Sequence, residues 1–312
     1  MEILRLDALT PLGWPRPVVA VGNFDGVHRG HQALIAATVA QARERAGTAA
    51  VLTFDPHPAR VIAPERAPAT LMTLDQKAEV LAALAVDRMV VLDFTPELSR
   101  QRPEGFAREV LGRALQAELV VVGSNFRFGR DRQGDVGALA ALGDRLGFAV
   151  EIVPPVLQHG SPVSSMRIRD ALARGEVEEA RVLLGRPFFI DGEVVRGAGR
   201  GRQLGVPTAN LRPFNETIPA GGVYAARCRP LEGNSHGTWA AVVNIGRRPT
   251  FGETTLTVEA HLLDRQADLY GRRLRLEFAA RLRDEQAFAG PAALVQQIQS
   301  DIAEARRVLA EV

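Results

Sequence analysis

Lysine and cysteine are nearly missing from this chain. Among 38 basic residues Lys77 is the one lysine, the rest being arginine. That excludes a P-loop lysine elsewhere in the chain and nearly every lysine-based mechanism. The single cysteine, Cys228, excludes an intramolecular disulfide framework and any multi-cysteine metal site; it reads as a small buried residue within a β run. No apolar run approaches the ~18 residues that a bilayer requires. The opening MEILRLDAL lacks a basic segment followed by an apolar one, so no signal peptide is expected. A net charge of +2 leaves no electrostatic footprint for nucleic acid or membrane. The expectation is a soluble, cytoplasmic protein whose 312 residues make one large or two ordinary domains.

The two halves differ in texture. Short apolar runs at Val18–Gly22, Ala50–Phe54, Met89–Phe94, Leu119–Gly123 and Ala149–Val153 alternate with helical patterns at Gln32–Ala46, Gln76–Ala85, Pro103–Ala117 and Val136–Leu146. Continuous apolar strands separated by helices predict a parallel sheet covered on both faces, whose ligand site lies in the loops at the strands' carboxyl ends. From Phe188 onward the runs are Phe189–Val195, Val223–Arg229, Thr238–Ile245, Thr255–Leu263 and Arg273–Ala280, punctuated by Gly, Pro and Asn. These suit an antiparallel barrel or sandwich, closed by a helix over Pro291–Leu309. The fold class is therefore α/β followed by all-β. The LGRP segment, Leu184–Pro187, is the most economical boundary and gives domains 1–183 and 184–312.

The segment Val19–Ile35 is the most informative. An apolar strand enters Gly22-Asn23-Phe24-Asp25-Gly26, and a helix starts near Arg29. Glycines admit a ligand close to the backbone, and a helix N-terminus presents free N–H groups to phosphate. His28 and His31 share a face of that helix and can donate to phosphate oxygens as charge develops during phosphoryl or nucleotidyl transfer. A glycine turn with two surface histidines, or metal binding by His28, His31 and His57, are the alternatives; a closed zinc site would need a fourth ligand. Two further segments follow strands of the same sheet, Thr53-Phe54-Asp55-Pro56-His57-Pro58 and Gly123-Ser124-Asn125-Phe126-Arg127-Phe128-Gly129. A fourth, Ser164-Ser165-Met166-Arg167-Ile168-Arg169, reads as a capped helix start whose arginines oppose the macrodipole unless an anion docks there.

In the second half, the run from Gly197 to Asn210 is rich in glycine and arginine and ends in PTAN. It reads as an anion-binding loop or a plain exposed basic one. In an extended strand Thr208 and Asn210 point to one side and can share a ligand or a Mg²⁺ shell. In Thr257–Leu262, Glu259 shares a face with Thr257 and His261, opposite Val258, Ala260 and Leu262. A carboxylate facing a glycine-rich loop suits a base, although a solvent-facing glutamate is the commoner case.

These motifs, in order and over nearly the whole chain, resemble the prokaryotic bifunctional riboflavin kinase/FMN adenylyltransferase family. The first half matches its GxFDGxHxGH, TFxPHP, Gly-x-(Asp/Asn)-Phe-x-Phe-Gly and Ser-Ser-Thr-x-(Ile/Val)-Arg patterns, with Met166 where the family usually has Thr or Ser. The second half matches PTAN (Pro207–Asn210), NIGxRPT (Asn244–Thr250), VExHLL (Val258–Leu263), LYG (Leu269–Gly271) and LRxE (Leu282–Glu285). The resemblance implies a nucleotidyltransferase domain of Rossmann-like build and a barrel of riboflavin kinase type, with riboflavin, FMN and ATP as substrates and Mg²⁺ as cofactor. It implies that His28 and His31 stabilise the adenylyl-transfer transition state. Gly22, Asn23, Phe24, Asp25, Gly26, Ser165 and Arg169 would then bind ATP, with Asn125, Phe126 and Phe128 beside the flavin. In the barrel it implies Glu259 as catalytic base and Arg283 at the flavin. Gly199, Gly201, Gly205, Thr208 and Asn210 would bind ATP there, with Thr208 and Asn210 also on Mg²⁺. No nucleic acid or membrane partner is expected, and the protein is expected to be a monomer or weak homo-oligomer. The rival readings are an adenylyltransferase for another phosphorylated acceptor and a catalytically degenerate flavin-binding regulator.

Overall fold

The computed structural model describes residues 1–6, 11–197, 206–232, 237–250, 253–265 and 267–311. The chain divides into two compact units, Met1–Ser164 and Ser165–Val312.

The first unit is built on six parallel strands in the order β1-β4-β3-β2-β5-β6. They are β1 (Glu2–Arg5), β2 (Val18–Val21), β3 (Ala49–Asp55), β4 (Arg88–Asp93), β5 (Leu119–Gly123) and β6 (Ala149–Val153). Every residue of β2 is buried, as expected of a central strand covered on both faces. Two apolar cores lie on the two faces, one around Val19, Leu52 and Leu111, the other around Val18, Ile35 and Met89. The helices between the strands are α1 (Arg29–Glu44), α2 (Pro58–Ile62), α3 (Leu74–Ala83), α4 (Pro96–Ser99), α5 (Pro103–Phe106) and α6 (Val136–Leu146). Local chemistry fixes their ends: Thr73 and Gln76 form a capping box on α3, Asp135 caps α6, and Gly147 closes α6 in the left-handed conformation. Because β3 flanks β2 on one side and β5 on the other, the chain order reverses at β2/β5, where open α/β sheets bind ligands.

Three features differ from the sequence reading. The edge strand β1 was not foreseen, because four half-exposed residues carry no burial pattern. The helix expected over 103–117 is a short α5 that widens into a π-helical stretch, Ala107–Ala114. A small hairpin, β7 (Leu157–Gln158) and β8 (Ser161–Pro162), precedes the second unit.

The second unit opens with α7 (Ser165–Ala173) and α8 (Val177–Leu184) and continues as a closed antiparallel barrel in the order β10-β13-β12-β11-β14-β9. Its strands are β9 (Phe188–Val195), β10 (Ala209–Pro213), β11 (Gly222–Pro230), β12 (Trp239–Thr250), β13 (Glu253–Leu262) and β14 (Arg273–Arg283). The last helix, α9 (Pro291–Glu311), lays Ala305 and Leu309 against Val223, Ala225 and Val242 on the outer face of the barrel. By packing, α7 and α8 group with the barrel rather than with the sheet, so the compact units part before the boundary read at 183/184. Particular bonds account for that: Ala220 N–H donates to the Leu172 carbonyl at 2.9 Å, and the Arg281 guanidinium donates to the Arg174 carbonyl at 3.1 Å. Among the described residues no helix is long and apolar enough to cross a membrane.

One buried ion pair fastens β9 to β14. Arg275 grips Asp191 through two bonds of 2.7 and 2.8 Å and lies 3.9 Å over the Phe189 ring, while Asn215 Oδ1 accepts the Asp191 N–H. Both side chains are nearly inaccessible, at 4% and 8%. Removing one partner leaves a buried charge uncompensated, which typically costs ~3–5 kcal/mol. Arg275→Met should therefore lower the stability of the second unit by about that amount. Urea unfolding followed by Trp239 fluorescence in a Trp14→Phe background checks this. An unchanged midpoint would show that the pair contributes nothing.

Candidate functional sites

The turn after β2 has unusual backbone. Phe24, Gly26 and Val27 lie at φ of 48°, 85° and 40°, and for a β-branched residue such as Val27 that is a strained conformation. Such strain persists only where the surroundings hold it, and here they do. Gly22 N–H still donates to Leu52 in the sheet, Thr53 Oγ1 donates to the Asn23 carbonyl at 3.1 Å, and Asp25 Oδ1 accepts the Leu71 N–H at 2.9 Å. The Asn23 amide reaches His57 Nε2 at 3.3 Å, and His57 Nδ1 accepts the Ala59 N–H at the start of α2.

His28 ends this turn and caps α1, its Nδ1 accepting the His31 N–H at 3.3 Å. An accepting Nδ1 carries no proton, so the neutral ring is protonated at Nε2 and is a donor there. The His28 and His31 rings stack with centroids 3.6 Å apart and planes 16° apart. Gly30 permits this, since a Cβ there would stand 3.2 Å from the His28 ring. Burial, then the charges of His28 and Lys77, push the His31 pKa well below its ordinary 6.5. His31 is therefore a neutral imidazole at neutral pH.

The side chains of Phe24, Asp25 and Phe128 face inward. Phe24 and Asp25 are buried, and Asp25 is occupied by Leu71, so in this turn they can offer a nucleotide backbone and not side chain. Phe128 is also buried, with Phe106 at 5.9 Å, and it backs the half-exposed Phe126, on which it stacks at 5.5 Å. Asn125 and Phe126 are left as the accessible pair after β5. Ser165 starts α7 in the second unit and Arg169 lies at its middle, Arg167 pairs with Glu179 of α8 at 3.3 Å, and Met166 is 70% exposed.

In the barrel, strand register assembles the second site. Asn210 of β10, Glu259 of β13 and Asn244 of β12 are direct cross-strand neighbours. Val258, Ala260 and Leu262 are buried against Ile245, Val243 and Ala241, so Glu259 stands on the other, outer face with Thr257 and His261, as the alternation predicts. Thr208 Oγ1 donates to Glu259 Oε2 at 3.5 Å, and His261 Nδ1 meets the Pro207 carbonyl at 2.8 Å, fixing the residue before Thr208. The expected glycines Gly199, Gly201 and Gly205 lie outside the described residues. Beside Thr208 opens a cavity of about 850 Å³, lined in part by Arg196, Ala260, Leu262 and Tyr270. Arg196 lies 5.8 Å over the Tyr270 ring.

Arg283 is committed elsewhere. It binds Asp301 of α9 through bonds of 2.8–3.2 Å, donates to the Asp284 carbonyl at 2.9 Å and lies 5.7 Å over Phe288. It ties the end of β14 to the last helix. Sequence reasoning missed Asn244 as a site residue, although its motif was recognised, because only the β12–β13 register brings it beside Glu259. It also missed Glu285, whose carboxylate lies over Gly246 so closely that a Cβ there would collide with it. Among the described residues no group of three His, Cys, Asp or Glu could hold a metal ion, and His28, His31 and His57 are not gathered into one.

Two family models match the chain, FAD synthetase over residues 13–167 and riboflavin kinase over residues 184–309. The bifunctional riboflavin kinase/FMN adenylyltransferase of Pseudomonas fluorescens is 41% identical over 94% of this chain and 93% of its own length. That of Escherichia coli K12 is 37% identical over 93% and 91%. The chain belongs to the bifunctional riboflavin kinase/FMN adenylyltransferase family. A crystal structure described as a macrolide-efflux protein from Streptococcus pneumoniae is similar over 98% of this chain and 99% of that one, with TM-score 0.89 and 30% identity. Within the riboflavin kinase/FMN adenylyltransferase frame the neutral His31 has a direct consequence. In ring NMR spectra His31, assigned among six histidines by loss of its signals in His31→Gln, should titrate with a midpoint well below the ordinary histidine value. A midpoint near the ordinary histidine value of ~6.5 would contradict the burial that keeps it neutral.

Proposed function

We infer that this chain phosphorylates riboflavin to FMN in its barrel and adenylylates FMN to FAD in its α/β unit, with ATP as co-substrate of both steps. The observation that carries the reading is that one chain holds both kinds of site. One is an imidazole donor at a strained strand-end turn; the other is a carboxylate between two amides and a hydroxyl. For the modules we keep the boundary 1–183 and 184–312, which follows the chemistry of the motifs rather than the packing of α7 and α8. The roles of Ser165 and Arg169 at ATP phosphates rest on the family resemblance alone.

In the kinase step, Glu259 accepts the proton of the ribityl 5′-hydroxyl as that oxygen attacks the γ-phosphorus of ATP and ADP leaves. Asn210 and Asn244 flank the carboxylate and orient it. The oxygen donors Thr208, Asn210 and Glu259 fit a hard cation that arrives with phosphates, and Thr208 and Asn210 are the residues that would hold Mg²⁺. When bound, Mg²⁺ neutralises charge on the phosphates. The cavity beside Thr208 takes the nucleoside of ATP. In the second step a phosphate oxygen of FMN attacks the α-phosphorus of ATP, the Pα–O bond to the β-phosphate breaks, and pyrophosphate leaves. No covalent enzyme intermediate is needed. His28 donates from Nε2 to the oxygens on which charge grows, and the accessible Asn125 and Phe126 border the flavin.

Two variants separate the steps. His28→Ala/His31→Ala should lower FAD formation from FMN by ~10²–10³-fold while riboflavin still becomes FMN. Glu259→Gln should lower FMN formation by ~10²-fold or more and leave adenylylation of supplied FMN near the wild-type rate. Steady-state assays of each half-reaction check both. Loss of FMN formation in the histidine variant would defeat the two-site assignment, and kinase activity within a few-fold of wild type in Glu259→Gln would make Glu259 structural.

A further inference from the structure

The one lysine of the chain is not on the surface, where lysines ordinarily lie. Lys77 projects from α3 into the first unit and is 8% exposed. Its Nζ donates to the Asn23 carbonyl at 2.8 Å and to Thr53 Oγ1 at 3.1 Å, and the Thr53 hydroxyl donates to that same carbonyl. Ammonium, hydroxyl and carbonyl thus close a triangle beneath the turn.

The carbonyl that Lys77 holds belongs to the peptide that leads into Phe24, the first of the three residues at positive φ. Turning that carbonyl away would rotate the Asn23–Phe24 peptide and release the turn toward ordinary backbone angles. His28, four residues on, would move with it. The charged groups around the ammonium are Asp25 in the turn and Asp55 at the end of β3, and the neutral imidazole of His31 at the start of α1 lies within its field. The two carboxylates favour the charged amine, but burial outweighs them and brings its pKa down to about 8. The same cation helps to keep His31 unprotonated.

We propose that Lys77 is a positioning residue of adenylyl transfer, gripping the Asn23 carbonyl so that the strained turn presents His28 to the reacting phosphate. This rests on the assignment of FMN adenylylation to the first unit. An arginine would bring a larger, planar fork to a pocket that holds one carbonyl and one hydroxyl. Lysine's compact ammonium serves both from a single nitrogen. That gives a physical reason for lysine here in a chain that otherwise uses arginine throughout.

The test compares Lys77→Met, which keeps the stem and removes the donors, with Lys77→Gln, which keeps an N–H donor. Misplacement of a reacting group by about 1 Å can cost ~10²-fold, so Lys77→Met should lower kcat for FMN adenylylation by ~10–100-fold with the ATP KM within a few-fold. Lys77→Gln should recover most of that loss, and riboflavin phosphorylation should be unchanged in both. If Lys77→Met does not fold, Lys77→Ala assayed with and without butylamine replaces it, with amine-dependent recovery of kcat expected. Wild-type kcat in Lys77→Met overturns the proposal. So does an equal loss in Met and Gln variants accompanied by a raised KM, or a loss in Lys77→Ala that butylamine does not relieve. A wild-type protein that makes no FAD from FMN would instead defeat the assignment on which the proposal rests.

Discussion

A slip of one residue between β13 and its neighbours would turn Glu259 from the outer face of the barrel into its packed interior. The same slip would bring Val258 or Ala260 out into its place. What forbids it is burial: Val258, Ala260 and Leu262 pair with Ile245, Val243 and Ala241, all inaccessible. Each carries an apolar side chain that a slip would expose, and the loss would be repeated along the strand. The row Asn210–Glu259–Asn244 is therefore a by-product of core packing. On the proposed assignment of Glu259, the site of the second unit is held in place by the packing of the barrel core.

The first unit solves the same problem at a strand's end, where pairing stops and register no longer protects the geometry. Its turn is held by side chains instead. Thr53, Asp25 and Lys77 are spread over a strand, the turn itself and a helix, and each meets a backbone group of the turn or of its neighbour. The histidine pair that follows is stacked, and burial keeps His31 neutral. A neutral donor stabilises charge as it develops without binding the ground-state phosphate more tightly than the reaction needs. The strained φ of Val27 is the local cost of delivering His28 to that place.

Much of this was legible in the sequence. The central strands, α1 and α6 announced themselves through continuous apolar runs and helical patterns. The alternation around Glu259 gave its face correctly. The edge strand β1 escaped because a short, half-exposed segment at a sheet edge has no periodic signature. Phe24, Asp25 and Phe128 sit in motifs that read as binding residues, and only packing reveals that their side chains face inward. The partner of Arg283, Asp301, was equally hidden, since it comes from a helix that only the closed barrel brings near. Lys77 is the most instructive case. Its rarity is visible at once and was read as an exclusion, whereas the fold makes the same rarity a pointer to a specific place.

The account stands on two consecutive activities in one chain, and a time course addresses that most directly. Purified protein is given riboflavin, ATP and Mg²⁺, and the flavins are separated at intervals. FMN should appear first, and FAD should follow together with pyrophosphate. Riboflavin that remains unphosphorylated, or FMN that accumulates without ever becoming FAD, would contradict it.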